Sequence, residues 1–337
     1  MLGYRPRTAP RILNNLRRID PARILGLRRR LEREVRRRYA ALRADLATSI
    51  VTNDCFNLTA MVNAVAIPEK FTFDRTDQKI AAFMKWLREQ QDKGILDISY
   101  RPGVHSFGPW QGIYIDSYYV KSLRTTYQQG IERARQEIHK AGYPIDPKPI
   151  ASMGTYMQAP IHVGRVGMIY SRSYEELKTV TDLTGAAVRR SVAKGLTEGL
   201  ARGMAEGKNP RAIARELLKD VVNQVDKIGE VRALMIARTE IAAAHHSASM
   251  AEYRQAEVEG VTVDAELLTS GLDNVCDECE ALSEEGPYTL DQAENMIPVH
   301  PSCACSILPV VKPPDTPAQA EQMAAADEAQ QEATMEV

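Results

Sequence analysis

Several residue types are scarce or unevenly placed in this 337-residue chain, and each shortage excludes something. There are five phenylalanines and two tryptophans, and aromatics make up 6% of residues while hydrophobics still reach 44%. That is little aromatic material for a protein built mainly of alternating strands. Plentiful Ala, Leu, Arg and Glu instead predict a mainly helical chain with ample core. No apolar run reaches the roughly 18 residues that a transmembrane helix needs. The N-terminus lacks the apolar centre of a secretory signal. It is arginine-rich in the manner of a transit peptide, but Ser49 is its only serine in fifty residues and Asp20, Glu32 and Glu34 interrupt it. The expectation is a chain made in the cytosol, where clustered cysteines bind metal more often than they pair. No phosphate-binding Gly-x-x-x-x-Gly-Lys-Ser/Thr loop, no Gly-x-Ser-x-Gly elbow and no His-Glu-x-x-His pair occurs.

Lysine is absent before Lys70, and nothing basic follows Lys312. Residues 1–47 hold fourteen arginines against four acids (Asp20, Glu32, Glu34, Asp45), whereas the far end carries only acids, from Asp315 to Glu336. The net charge of −1 conceals this asymmetry. A basic head predicts an anionic partner, and an acidic tail of Ala, Gln, Glu and Pro predicts a solvated, unpacked segment over 312–337.

Hydrophobic spacing places the elements. Asp20-Pro21 reads as a cap followed by a first-turn proline. Ile24, Leu27, Leu31, Val35, Tyr39, Leu42 and Leu46 then recur at helical period for roughly 28 residues. A helix over 77–91 turns Ile80, Phe83, Met84 and Leu87 inward. Ser117 opens another, with Val120, Leu123, Tyr127, Ile131, Ala134 and Ile138 inward. Pro and Gly mark 95–115 and 144–168 as loop or linker. Long helices follow over 172–206, from Asn209-Pro210 to Val222, and from Glu230 to Val258, the last stopped at Gly260. Strands are expected over 261–269 and 306–311. The fold class is therefore mainly α, with long helices and a small C-terminal β-containing Cys/His lobe, an α+β arrangement. Four consecutive segments are expected: an arginine-rich arm and helix (1–50), a helical domain with a loop-rich linker (51–169), a domain carrying the Cys/His lobe (170–311) and the acidic tail (312–337).

Four of the five cysteines fall in one short window; Cys55 is the outlier. Cys276 and Cys279 are two residues apart, and His300-Pro301-Ser302-Cys303-Ala304-Cys305 follows about twenty residues later. Paired soft ligands on either side of a short excursion suit a tetrahedral zinc ion. Five candidates for four places leave one spare. The same cysteines also suit disulfides in an oxidising medium, or buried small hydrophobes. A catalytic metal would need an open position and a base. The neighbouring Asp277, Glu278 and Glu280 read as solvated acids, and they disfavour nucleic-acid contact through this loop. Arg238-Thr239-Glu240 lies mid-helix, where Arg238 and Glu240 read as a structural pair tying that helix to the next layer. In the basic head, Arg17, Arg18, Arg28, Arg29, Arg30, Arg36, Arg37 and Arg38 are the candidate contacts to nucleic-acid phosphate or to an acidic protein surface, since the guanidinium fork suits both.

The order of these motifs carries a resemblance. A helix holding Ala237-Arg238-Thr239-Glu240 stops at Gly260. A strand, the Gly-Leu-Asp-Asn-Val-Cys-Asp-Glu-Cys turn, Pro298-Val299-His300-Pro301-Ser302-Cys303-Ala304-Cys305 and a strand ending in Pro309-Val310 follow. Over roughly 170–311 this resembles the phage Mu F-like domain of minor head proteins. Leu267 and Ala304 stand where that family often has tryptophan and arginine. The resemblance implies a structural, non-enzymatic minor capsid protein of a tailed bacteriophage. Such proteins associate with the portal vertex of the virion and act in head assembly and in DNA packaging or genome ejection. It implies the portal or capsid protein as partner, with packaged double-stranded DNA a further partner for the arm, host cytoplasm during assembly, and no membrane. The other function class compatible with the cysteines is a zinc-dependent enzyme or toxin delivered with the virion.

Overall fold

The computed structural model describes residues 20, 22–56, 74–96, 117–141, 153–180, 208–269 and 275–312, together with isolated positions between 181 and 207. The N-terminal arm, the acidic tail and most of the 95–115 loop lie outside these residues. The described chain is mainly α with one small antiparallel sheet near its C-terminus. No described helix is long and apolar enough to cross a membrane.

The helices are α1 (Leu25–Ala47), α2 (Asp74–Gln90), α3 (Tyr118–Ala141), α4 (Met153–Tyr156), α5 (Pro160–Val180), α6 (Pro210–Gln224) and α7 (Val231–Val258). Strand β1 (Val263–Leu268) comes next, then α8 (Asp277–Glu285), β2 (Tyr288–Thr289), α9 (Leu290–Ala293) and β3 (Ser306–Val311). Each long helix forms where the apolar period and a cap coincide. Ser117 caps α3 by accepting from the Val120 amide at 3.1 Å. Asn209 caps α6 by accepting from the Ala212 amide at 2.9 Å, with Pro210 at the first helical position. Gly260 ends α7 at φ 90°, and the Val261 amide reaches back five residues to the Ala256 carbonyl at 3.0 Å. That is the closure a left-handed glycine permits.

Three expectations are corrected. Helix α1 starts at Leu25 rather than Pro21: the Asp20 carboxylate still accepts from the first amides, those of Ile24 and Leu25, but Arg23 intervenes in a left-handed turn at φ 56°. Residues 160–168, expected as linker, are the first half of α5. Pro160 stands at the first helical position, where its missing N–H has no helical partner to lose, and the glycines are tolerated inside the helix. The cysteine segment, expected as loop, contains α8 and β2.

The described chain packs as two compact units, and both are discontinuous in sequence. The first comprises Met1–Leu31, Ser106–Arg172 and Ile236–Val337, and the second Glu32–His105 and Ser173–Met235. The boundaries cut across the four consecutive segments read from composition, because α1, α5 and α7 are long enough to contribute to both cores.

In the first unit α7 is buried almost all round, with Ala237, Ile241, Ala244, Ala248, Met250 and Tyr253 at 4% exposure or less. Its small side chains admit close neighbours. Gly130 of α3 lies so near that an added Cβ would stand 2.6 Å from Ala248 Cβ and 2.8 Å from the His245 carbonyl oxygen. Several buried polar groups around α7 are matched, although His246 Nδ1 is buried without a hydrogen-bond partner among the described residues. Glu252 takes Arg135 at 3.2 Å and the Tyr156 hydroxyl at 2.8 Å. The Tyr127 hydroxyl meets His162 Nδ1 at 3.1 Å. The sheet has strand order β2-β1-β3, with Val263 opposite Val311 and Leu268 opposite Ser306. Val261, Val263, Ala265 and Leu267 are buried as their alternation requires. Pro309 is accommodated because β3 is an edge strand. In the second unit the core is built from Val35, Tyr39, Leu42 and Leu46 of α1, Ile80, Phe83 and Leu87 of α2, and Ile213, Leu217 and Val221 of α6.

Gly130→Ala should destabilise the chain by about 2 kcal/mol, because an overpacked contact with backbone cannot relax by a rotamer change. Urea unfolding of the parent and the variant measures this. An unchanged midpoint would mean that α3 and α7 do not approach so closely.

Candidate metal centre

The five sequence candidates converge. Sγ of Cys276, Sγ of Cys279 and a ring nitrogen of His300 lie within 4.8 Å of one another, and so do the sulfurs of Cys279, Cys303 and Cys305. Cys279 is common to both groups. Cys279, Cys303 and Cys305 are buried, while Cys276 and His300 are partly exposed. All four clustered cysteines are free thiols, as is the exposed Cys55. The cluster can therefore hold a metal ion, with its donors brought in from two directions.

The first pair is delivered by the start of α8. Cys276 is the N-cap residue, and its sulfur accepts from the Cys279 amide at 3.4 Å. Two intervening residues bring Cys279 to the third helical position, one turn on, which puts both sulfurs at the positive end of the helix. Asp277, Glu278 and Glu280 occupy the exposed first turn, where negative charge complements that end. Their clustering beside the cysteines is thus a helix-start feature. Ser283 anchors α8 by donating to the Leu267 carbonyl of β1 at 2.9 Å.

The second pair is delivered by a tight turn entering β3. The Cys303 amide donates to the His300 carbonyl at 3.0 Å, with Pro301 second in the turn and Ser302 third at φ 64°. That is the pattern of a type II turn, which favours glycine at the third position. Serine is held there by its amide, which donates to Thr239 Oγ1 of α7 at 3.0 Å. Arg28 of α1, whose side chain is buried, donates through Nη2 to the Cys303 carbonyl. His300 Nδ1 lies 2.9 Å from the Pro301 carbonyl, which can only accept, so Nδ1 carries the proton and Nε2 keeps its lone pair.

The electrostatics fit a site that needs a cation. Donation from the Cys305 thiol, aided by the Cys305 and Val299 amides and by His300, outweighs burial and pushes Cys303 down to about 5. Cys305, as donor beside that negative charge, is pushed far up, and burial together with its bond to Cys276 pushes Cys279 up to about 12. One sulfur is held low while its two neighbours are held high, so the three do not readily ionise together without a counter-ion. A divalent cation supplies the charge that lets its neighbours ionise.

The motif residues of α7 lie beside this site. Glu240 is buried and accepts from Arg172 of α5 at 3.0 Å, while Arg238 is half-buried. Thr239 and Arg28 are the supports that sequence reasoning missed as such. Thr239 stood between two residues singled out for their charge, and nothing in the sequence near Arg28 points 275 residues ahead.

The candidate contact arginines divide. Arg17 and Arg18 lie outside the described residues. Arg28 is not displayed on the surface. Arg29 and Arg30 are exposed, and no ion pair links either to another described residue. Within the second unit, Arg36 pairs with Glu230 at 3.4 Å, and Arg37 and Arg38 pair with Glu34 at 2.7 and 2.9 Å. Arg37 and Arg38 also border a cleft of about 430 Å³ with Lys93 and Asp45. Arg36 and Arg37 are themselves exposed, and surface pairs of this kind contribute about 0–1 kcal/mol each.

No family model, no curated protein and no solved structure matches this chain.

Two further groups near the site carry a pH signature. Burial, with the charges of Arg133, His246 and Arg28, depresses His245 to about 3. Burial depresses His246 to about 4, even though its Nε2 donates to the Ala293 and Glu294 carbonyls at 2.9 and 3.2 Å and the Glu294 charge favours protonation; the Arg165 charge opposes it. Folded values below the unfolded value of about 6.5 mean that the unfolded chain binds more protons between those limits. Stability should therefore be full above about pH 6.5 and fall by about 1.4 kcal/mol per pH unit per histidine as pH drops toward 4. His246→Gln should show a shallower decline in urea unfolding between pH 6.5 and 4.5. Identical slopes for variant and parent would remove His246 from the account.

Proposed function

We propose that the cluster is a structural zinc site and that the chain is a minor capsid protein of a tailed bacteriophage. It would associate with the portal vertex and act in head assembly and in DNA packaging or ejection. The observation that carries this reading is the motif order converging on one place. The Arg-Thr-Glu helix, β1, Cys276-x-x-Cys279, His300-Pro-x-Cys303-x-Cys305 and β3 all belong to one compact unit, with Thr239 on the cysteine turn. Thiolate and imidazole donors suit zinc, and three of the candidate sulfurs are buried, as in a closed structural site. Bound there, zinc would contribute on the order of 10 kcal/mol to holding α8 and the β3 turn together. Arg29 and Arg30, with the arginines that precede them, would face packaged DNA or an acidic surface of the portal or capsid protein.

Chain expressed in zinc-supplemented medium should hold about one zinc per molecule by elemental analysis. Cys279→Ser should lose it, because both donor groups include that sulfur. Of Cys276, His300, Cys303 and Cys305, one should tolerate substitution with the metal retained, which identifies the spare ligand. A metal-free wild-type chain would reject the zinc reading.

For the virion role, mass spectrometry of purified proheads and mature particles should detect the chain in at least one of them. Absence from both would reject the assignment, whatever the metal result.

A further inference from the structure

The metal cluster and the start of the arginine helix meet at one residue. Arg28 lies on the first turn of α1, and its guanidinium is buried and donates to the carbonyl of Cys303, itself fully buried. Ile24, just before α1, and Leu27 and Leu31 within it are also buried, and all of these residues belong to the first compact unit. Beyond them toward the N-terminus, the cap at Asp20 is the last described point before the arginine-rich arm.

We propose that metal binding and the anchoring of this first turn of α1 are linked, with Arg28 as the positioning residue between them. The proposal rests on the metal reading. The donor bond fixes the carbonyl of a candidate ligand from outside, in the way that outer hydrogen bonds orient ligands at metal sites. Charge runs in the same direction. Four thiolates around a divalent ion leave two negative charges, and three thiolates with a histidine leave one. Either charge favours a buried guanidinium beside Cys303, since a buried cation is costly unless negative charge lies near it. The metal therefore strengthens the Arg28 contact, and by thermodynamic linkage Arg28 strengthens metal binding by the same factor. The consequence is directional. A loaded cluster holds residues 24–31 in place, whereas an empty one loosens them. Thr239, bonded to Ser302, secures the same turn from the α7 side and keeps it in place as the contact with α1 changes.

The test uses the full chain, loaded with zinc or stripped with a strong chelator, and follows amide hydrogen exchange. Stripping should speed exchange about 10-fold at 24–31 as well as at 276–279 and 300–305, while 210–224 stays protected. By competition with a chromogenic chelator, Arg28→Met should bind zinc about 10-fold more weakly and Arg28→Lys somewhat less so, with Arg33→Met as parent. Lysine retains the charge, so it serves as the variant if methionine prevents folding. The link is overturned if the zinc-loaded parent shows the same exchange at 24–31 after stripping, or if Arg28→Lys and Arg28→Met bind zinc as the parent does. A rise that reaches 210–224 equally means global loss of structure and also counts against a local link. A parent chain that binds no zinc rejects the metal reading and this coupling with it, an outcome distinct from a chain that binds zinc without ordering 24–31.

Discussion

A helix enclosed on every side has to satisfy each polar group it carries inside the protein, and it admits neighbours only where its side chains are small. Over most of its length α7 is such a helix, and the first unit is arranged around that constraint. Its alanines let Gly130 of α3 come into close contact. Four of its polar residues each reach a different neighbour: Thr239 the cysteine turn, Glu240 Arg172 of α5, His246 the carbonyl of Ala293 in α9, and Glu252 Arg135 and Tyr156. Each of these bonds fixes one surrounding element, so the helix works as a register for the whole unit.

The cysteine cluster inherits its geometry from that register. The α8 pair is set by a helix start docked on β1, and the second pair by a turn strung between α7 and the edge strand β3. Neither segment carries many large apolar side chains, so hydrophobic burial alone gives little reason for four thiols to be brought together. A shared cation would supply one, since Cys303 is held low while its two buried neighbours are held high and the donors lie close enough to hold a metal ion.

The arginine helix has two characters. Seven apolar positions build cores, and part of its charge is answered locally: Arg36 and Arg43 meet Asp226 and Glu230, while Arg37 and Arg38 meet Glu34. The large formal excess of positive charge in the first 47 residues therefore overstates what α1 displays. Among the described residues of α1, the exposed arginines with no ion pair to another described residue are Arg29, Arg30 and Arg33.

Much of the fold was legible from local signals. The inward faces of α1, α2 and α3, the Asn209-Pro210 start of α6, the Gly260 stop of α7 and both long strands follow from period and caps, which neighbouring residues dictate by themselves. The candidate donors were legible for the same reason, since a two-residue spacer is a local statement about where two sulfurs can point. Local signals failed where a residue has two meanings. Pro160 read as a breaker and is a helix start, and the acids after Cys276 read as a solvated loop and are the first turn of α8. What only the tertiary structure decided is long-range. The two units are assembled from separated stretches, Cys279 belongs to both donor groups, Thr239 holds Ser302 in a left-handed turn, and Arg28 is a buried support of Cys303 instead of one more surface charge. These pairings join residues up to 275 positions apart, and only packing around a buried helix brings such residues into contact.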